Sequence, residues 1–252
     1  MTSADHTAWL ECVTVAYLDE PPFGIPAPAG ARPDGCDMDL ADHVLRAAGV
    51  TSIRYTLTTF PELIPGLLDK RWHMTTAMFV TDDRASIIDY TRPIWAATDG
   101  FIVRRDDAAR FTSYEAIARV PTAILAVVSD QVQRRTARDA GVPPERIVEF
   151  PDQDAAVAAV RDGRADASAS TAVGNRAYVQ RANDPVLTTV ADQPANPRSP
   201  LAVGAFALSK DTADLTTAIN RVLDRYLGTA DHLDLVARYG FSRSDLLPIL
   251  DG

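Results

Sequence analysis

Lysine is nearly missing from this 252-residue chain: Lys70 and Lys210 stand beside 34 acidic residues, and the other basic side chains are arginines. No Lys/Arg run interrupts a formal net charge of -9, which argues against nucleic acid and anionic lipid as partners. Cysteine is scarce too. Cys12 and Cys36 form no CxxC and no zinc pattern, so they read as two buried thiols or, alternatively, as one disulfide. His6, His43, His73 and His232 are scattered over separate segments without an HExxH, so no metal site is expected. A GxxxxGK[ST] loop, a GxGxxG turn and a GxSxG elbow are all missing, and with them any support for a nucleotide cofactor or a serine nucleophile; no cofactor is expected. No stretch reaches the roughly 18 consecutive apolar residues of a membrane-spanning helix. Residues 1–11 carry acids and a histidine but no apolar core of a signal peptide. That implies either a trimmed leader or a cytoplasmic protein.

What remains is an ordinary globular composition, 46% apolar and 23% charged, with a regular alternation of patterns. Residues 12–18 (CVTVAYL) read as a strand ending in the turn-rich segment DEPPFGIPAPAGARPDG. Leu40, Val44, Leu45 and Ala48 repeat at helical spacing before Gly49. Residues 52–58 alternate as a strand, 60–68 form a short helix with Pro61 in its first turn, and 74–80 form a buried strand running into Thr81, a helix N-cap. After the segment 98–104 a second series begins, with helices expected near 113–119, 130–140, 153–162 and from 171. Strands are expected at 123–128, 146–149 and 165–168. A proline-rich passage, DQPANPRSP, precedes a strand at 201–208 and helices at 213–227 and 230–239. Strands separated by helices mean βαβ units, largely parallel sheets and an α/β fold. The two series suggest two lobes: residues 1–104, residues 105–200, and a return of 201–252 to the first.

Four segments carry a family resemblance: PDGCDMDLADHVLRAAG, LIPGLLDKRWHMTTAMFVTDDRASIIDYTRPI, DAGVPPERIVEFPDQDAAVAAVRDGRADA and AFALSKD. In this order and spacing the chain resembles the family 3 solute-binding proteins of polar amino-acid ABC importers, over roughly residues 12–247. The resemblance implies a two-lobed type II periplasmic-binding fold, a cleft for a small solute, a membrane permease as partner and a monomer. It maps the family's T-x-x-R arginine, which forks onto a ligand carboxylate, onto Arg84. A guanidinium presents parallel N–H donors to a carboxylate, so the assignment is chemically sound. The competing reading pairs Arg84 with Asp82 or Asp83 on a helix surface.

Departures from the family narrow the ligand. Where amino-acid binders place an aspartate for the α-ammonium, this chain has Thr171. Phe79 replaces a small residue five positions before the arginine, and the family's G-T-[TS] loop reads Ser129-Asp130-Gln131. With Glu20, Phe23 and Phe60, this pattern resembles the ectoine and hydroxyectoine binders, in which aromatic rings box a delocalised cation. The implied ligand set is Arg84, Phe79, Phe23, Phe60, Glu20, the backbone at Ala77, Asp130, Gln131 and Thr171, for a small zwitterionic carboxylate. Each phenylalanine taken alone reads equally as core. A second reading is a cytoplasmic dehydratase-like enzyme on the same fold using Glu20, Asp130 and His73; His73 stands where the family has aspartate. A detached sensory module ranks last.

Overall fold

The computed structural model describes residues 9–28, 31–193, 202–241, 246, 249 and 250. The proline-rich passage at 194–200 lies outside them. The chain opens with β1 (Cys12–Tyr17), α1 (Cys36–Ala47), β2 (Ser52–Leu57), α2 (Leu63–Leu68), β3 (Met74–Phe79), α3 (Asp82–Ala85), β4 (Asp89–Tyr90) and β5 (Trp95–Ala96). There follow β6 (Asp99–Arg104), α4 (Tyr114–Arg119), β7 (Leu125–Val128), α5 (Gln133–Asp139), β8 (Ile147–Phe150), α6 (Gln153–Arg161), β9 (Ala167–Thr171), α7 (Ala172–Ala182) and β10 (Leu187–Ala191). The chain returns through β11 (Val203–Leu208), α8 (Ala213–Tyr226) and α9 (Ala230–Ala237). Contacts divide it into two units, Met1–Ala96 with Ala202–Gly252, and Ala97–Leu201.

The first unit is built on a six-stranded sheet ordered β2-β1-β3-β11-β4, with β5 also paired to β11. β1 lies parallel to β2 and β3, whereas β11 runs antiparallel to β3 with Gly204 opposite Phe79 and Phe206 opposite Ala77. Every residue of β3 is buried, as expected of a central strand covered on both faces. The long loop before α1 is shaped by two short bridges, Glu20 to Gly24 and Ile25 to Asp34. At Gly35, φ is 124° and a Cβ would sit 2.4 Å from the Phe23 carbonyl oxygen, so glycine is required there. Among the described residues neither cysteine is in a disulfide, and Cys36 is buried at the start of α1.

The second unit is a five-stranded sheet ordered β10-β6-β9-β7-β8. β7 is parallel to β8 and β9, while β6 is antiparallel to β9 and β10. Alternation along β6 makes the layers. Phe101 and Val103 point into a core with Tyr114, Ile117, Leu125 and Ala137, from the α4 and α5 side. Ile102 points the other way, toward Ala126, Val157, Val160 and Leu187 on the α6 side. Burying each large apolar side chain contributes about 1.5–3 kcal/mol.

Boundaries differ from the sequence reading where tertiary pairing decides them. The strand expected at 165–168 is β9 at Ala167–Thr171, set by its register with β6, in which Asp99 opposes Thr171. The helix expected from 130 begins at Gln133, because Asp130 adopts φ 63° in the preceding turn. β10, β4 and β5 were not expected.

His73, the acid/base candidate of the enzyme reading, has a structural role instead. Its backbone N–H donates to the Thr14 carbonyl (2.9 Å) and its Nδ1 accepts from the Thr14 N–H (3.0 Å), which completes the edge of β1. Burial lowers its pKa, in keeping with a neutral acceptor.

His232 in α9 supplies a test of the first unit's packing. It is fully buried, its Nδ1 accepts from Gly228 N–H (3.1 Å), and its ring meets Tyr226, itself stacked on His43. Burial, with a smaller contribution from His43, lowers its pKa to about 4. The unfolded chain therefore binds a proton that the folded chain refuses between about pH 6.5 and 4. This contribution to stability is complete above that window and is lost as pH falls through it. Urea unfolding of wild type and His232→Gln from pH 4 to 7.5 should show the wild type losing about 2–3 kcal/mol relative to the variant on acidification. Parallel curves would remove His232 as the cause.

Candidate functional site

The end of β3 organises the site in the first unit. Val80 N–H still bonds to the Val203 carbonyl (3.0 Å), and Thr81 then caps α3, its Oγ1 accepting from Arg84 N–H at 3.3 Å. This single turn carries the half-buried Arg84 side chain back over the strand. Its Nη1 donates to the Phe79 carbonyl (2.9 Å), and its Cζ lies 5.2 Å from the centre of the Phe60 ring. Tyr90 Oη also donates to the Phe79 carbonyl (3.4 Å). Burial raises the Tyr90 pKa, with Arg84 opposing, so the phenol remains a donor at neutral pH.

Beside this cation lies a run of rings. Phe79 meets Trp95 edge-on at 5.4 Å, and Trp95 meets Phe23 at 5.1 Å with planes tilted by 43°. Phe23 packs edge-on against Phe241 at 5.8 Å. Phe23 and Phe79 are 6% and 8% exposed, so most of each ring serves the core and a narrow part reaches the surface. Phe60 is half-buried. Glu20 shares a tight turn with Phe23: Phe23 N–H donates to the Glu20 carbonyl (2.9 Å), and Glu20 N–H donates to the Gly24 carbonyl (3.0 Å).

Under the rings sits Asp37, the second residue of α1, with no exposed surface. Its Oδ1 accepts from Trp95 Nε1 (3.1 Å), and its Oδ2 accepts from Thr76 Oγ1 (2.7 Å) and Ala77 N–H (2.8 Å). Burial raises its pKa to about 7, against the pull of these three donors and with the negative Glu20 adding to the rise. Arg84, Phe60, Phe79, Phe23, Glu20 and Ala77 thus belong to one connected set in the first unit. Sequence reasoning missed Asp37 and Trp95. The available signals were an acid on the buried face of a helix start and a tryptophan directly after the TRPI landmark.

The other three candidates belong to the second unit. Asp130 and Gln131 follow β7 in a turn tied to β8: Ser129 N–H (2.9 Å) and Oγ (3.2 Å) both donate to the Phe150 carbonyl, and Gln131 N–H donates to the Val128 carbonyl (3.3 Å). Thr171 ends β9 and is buried, its Oγ1 capping α7 by accepting from Gly174 N–H at 3.1 Å. All three stand at the carboxyl ends of parallel strands, where open α/β sheets bind ligands. Two residues missed in the sequence stand at the same ends. Gln153, the first residue of α6, and Asn175, in the first turn of α7, are buried amides without a hydrogen-bond partner among the described residues. No group of three or more His, Cys, Asp or Glu among the described residues could hold a metal ion.

Comparison with known proteins agrees with this architecture. The family model described as bacterial extracellular solute-binding proteins, family 3, matches residues 13–240. A probable amino-acid ABC transporter periplasmic-binding protein of Sinorhizobium fredii is 30% identical over 243 residues, covering 95% of this chain and 80% of that protein. Among solved structures, EhuB in complex with hydroxyectoine superposes with a TM-score of 0.81 at 24% identity, covering 92% of this chain and 90% of that one. That likeness concerns the fold. The arginine-bound form of truncated ArgBP from T. maritima has a TM-score of 0.73 at 26% identity, covering 88% of this chain and 99% of that one. These relatives are described by what they bind or carry. The chain belongs to the family 3 bacterial extracellular solute-binding proteins.

Proposed function

We propose that this protein captures a small zwitterionic carboxylate with a delocalised cation, of the ectoine or hydroxyectoine type, and delivers it to an ABC permease. The observation that carries the reading is Arg84, held by the Phe79 carbonyl and the face of Phe60. A guanidinium presents parallel N–H donors in a fork, and a carboxylate is its natural bidentate partner. The rest of the set suits a soft cation. Three phenylalanines and one acid, Glu20, accompany Arg84 in the first unit, and the family position that carries an aspartate for the α-ammonium is Thr171 in this sequence. As members of an extracellular family, such proteins act in the periplasm or outside the cell.

A polar amino acid is the second reading, because ArgBP from T. maritima is bound to arginine and Glu20 could meet an ammonium. Thermal unfolding with ectoine, hydroxyectoine, glycine betaine, arginine and glutamine separates the two. Ectoine-type solutes should raise Tm by mass action, about 2.7 kcal/mol of added stability at a hundred times Kd, and be recovered unchanged. A shift with arginine or glutamine and none with the ectoines would overturn the ligand class.

A further inference from the structure

Trp95 is held from two sides. On β5 it pairs with Gly204 of β11, and its ring lies so close over that glycine that a Cβ there would meet three ring carbons at 2.2–2.4 Å. Its Nε1–H is aimed at Asp37 Oδ1. Between these restraints the ring touches Phe79 on one side and Phe23 on the other. The same carboxylate holds β3 through Ala77 N–H and Thr76 Oγ1, two and three residues before Phe79 at the strand's end. A buried acid without a cation is an expensive residue to keep in a core. The arrangement explains its identity. Three donors converge on one side chain, and a carboxylate has acceptors for all of them, whereas asparagine would set its NH2 against at least one.

We propose that Asp37, Trp95 and Gly204 are positioning residues that fix the relative placement of Phe23 and Phe79 and thereby set selectivity for a delocalised cation over an ordinary amino acid. Asp37 and Gly204 act through Trp95, and Trp95 acts through the two phenylalanines. The proposal rests on the ligand reading above for what is selected, but the positioning can be measured without ligand.

The test compares wild type with Asp37→Asn, Trp95→Phe, the double variant and Gly204→Ala. The last keeps every hydrogen-bonding group and displaces only the ring. Near-UV circular dichroism of the unliganded proteins reports the coupled Trp–Phe packing, urea unfolding reports stability, and calorimetric titration gives the affinity ratio of ectoine to glutamine. The Asp37→Asn and Gly204→Ala proteins should each lose the near-UV signature and drop the affinity ratio about tenfold. In the Trp95→Phe background, adding Asp37→Asn should lower the ratio little further, since the two act in series. An unchanged ratio in both Asp37→Asn and Gly204→Ala, or effects that multiply in the double variant, would overturn the positioning role. If Asp37→Asn fails to fold, Gly204→Ala and Trp95→Phe still decide the outcome. Wild type that ignores ectoines but binds glutamine would refute the ligand class instead, a separate result.

Discussion

Replacing Arg84 by alanine should weaken binding of every carboxylate solute at least a hundredfold and leave the fold standing. Truncating one partner of a hydrogen-bonded charge pair in a partly dry site costs about 2–5 kcal/mol, because the other charge remains unpaired. The side chain is half-buried, and losing hydrogen bonds such as the one to the Phe79 carbonyl should cost about 1–2 kcal/mol of stability. Arg84→Lys should recover part of the affinity and not all of it, since an ammonium gives a point charge without the fork. Titration calorimetry with unliganded unfolding curves in parallel separates the two effects. Binding that survives in Arg84→Ala would leave Arg84 as a surface charge over an aromatic ring.

Shortening Phe79 should act on the other end of the ligand. Alanine is a poor probe here. The ring is 8% exposed and packed on Trp95, and removing it would cost about 3–5 kcal/mol of stability through the cavity left behind. Leucine keeps most of the volume and loses the π face. Phe79→Leu should lower affinity for a delocalised cation about tenfold, the scale of a desolvated cation–ring contact, while changing glutamine affinity less than twofold. Equal losses for both solutes would assign Phe79 to packing alone.

Much of the architecture was legible in the sequence because it is locally encoded. Thr81 was readable as an N-cap and caps α3 through Arg84 N–H. The apolar spacing of Leu40, Val44 and Leu45 gave α1, whose buried face they form. Elements that depend on distant partners were not legible. β10 is a short, half-exposed edge strand whose existence rests on pairing with β6, and β9 is made of small residues whose span is fixed by register rather than by β-branched content. The site divides the same way. Arg84 and Phe79 stood in family motifs on one continuous segment. Asp37 and Trp95 meet across 58 positions of sequence, and nothing local in either marks the contact. His73 was legible as a departure from the family pattern but not in its meaning, which depends on the neighbouring strand β1.

A crystal structure of the protein with the solute that most raises its Tm tests the central claim most directly. The account predicts the ligand's carboxylate within hydrogen-bond distance of the Arg84 guanidinium and its cationic group against the rings of Phe23, Phe60 or Phe79. A ligand whose carboxylate lies away from Arg84, with that side chain turned to solvent, would contradict it.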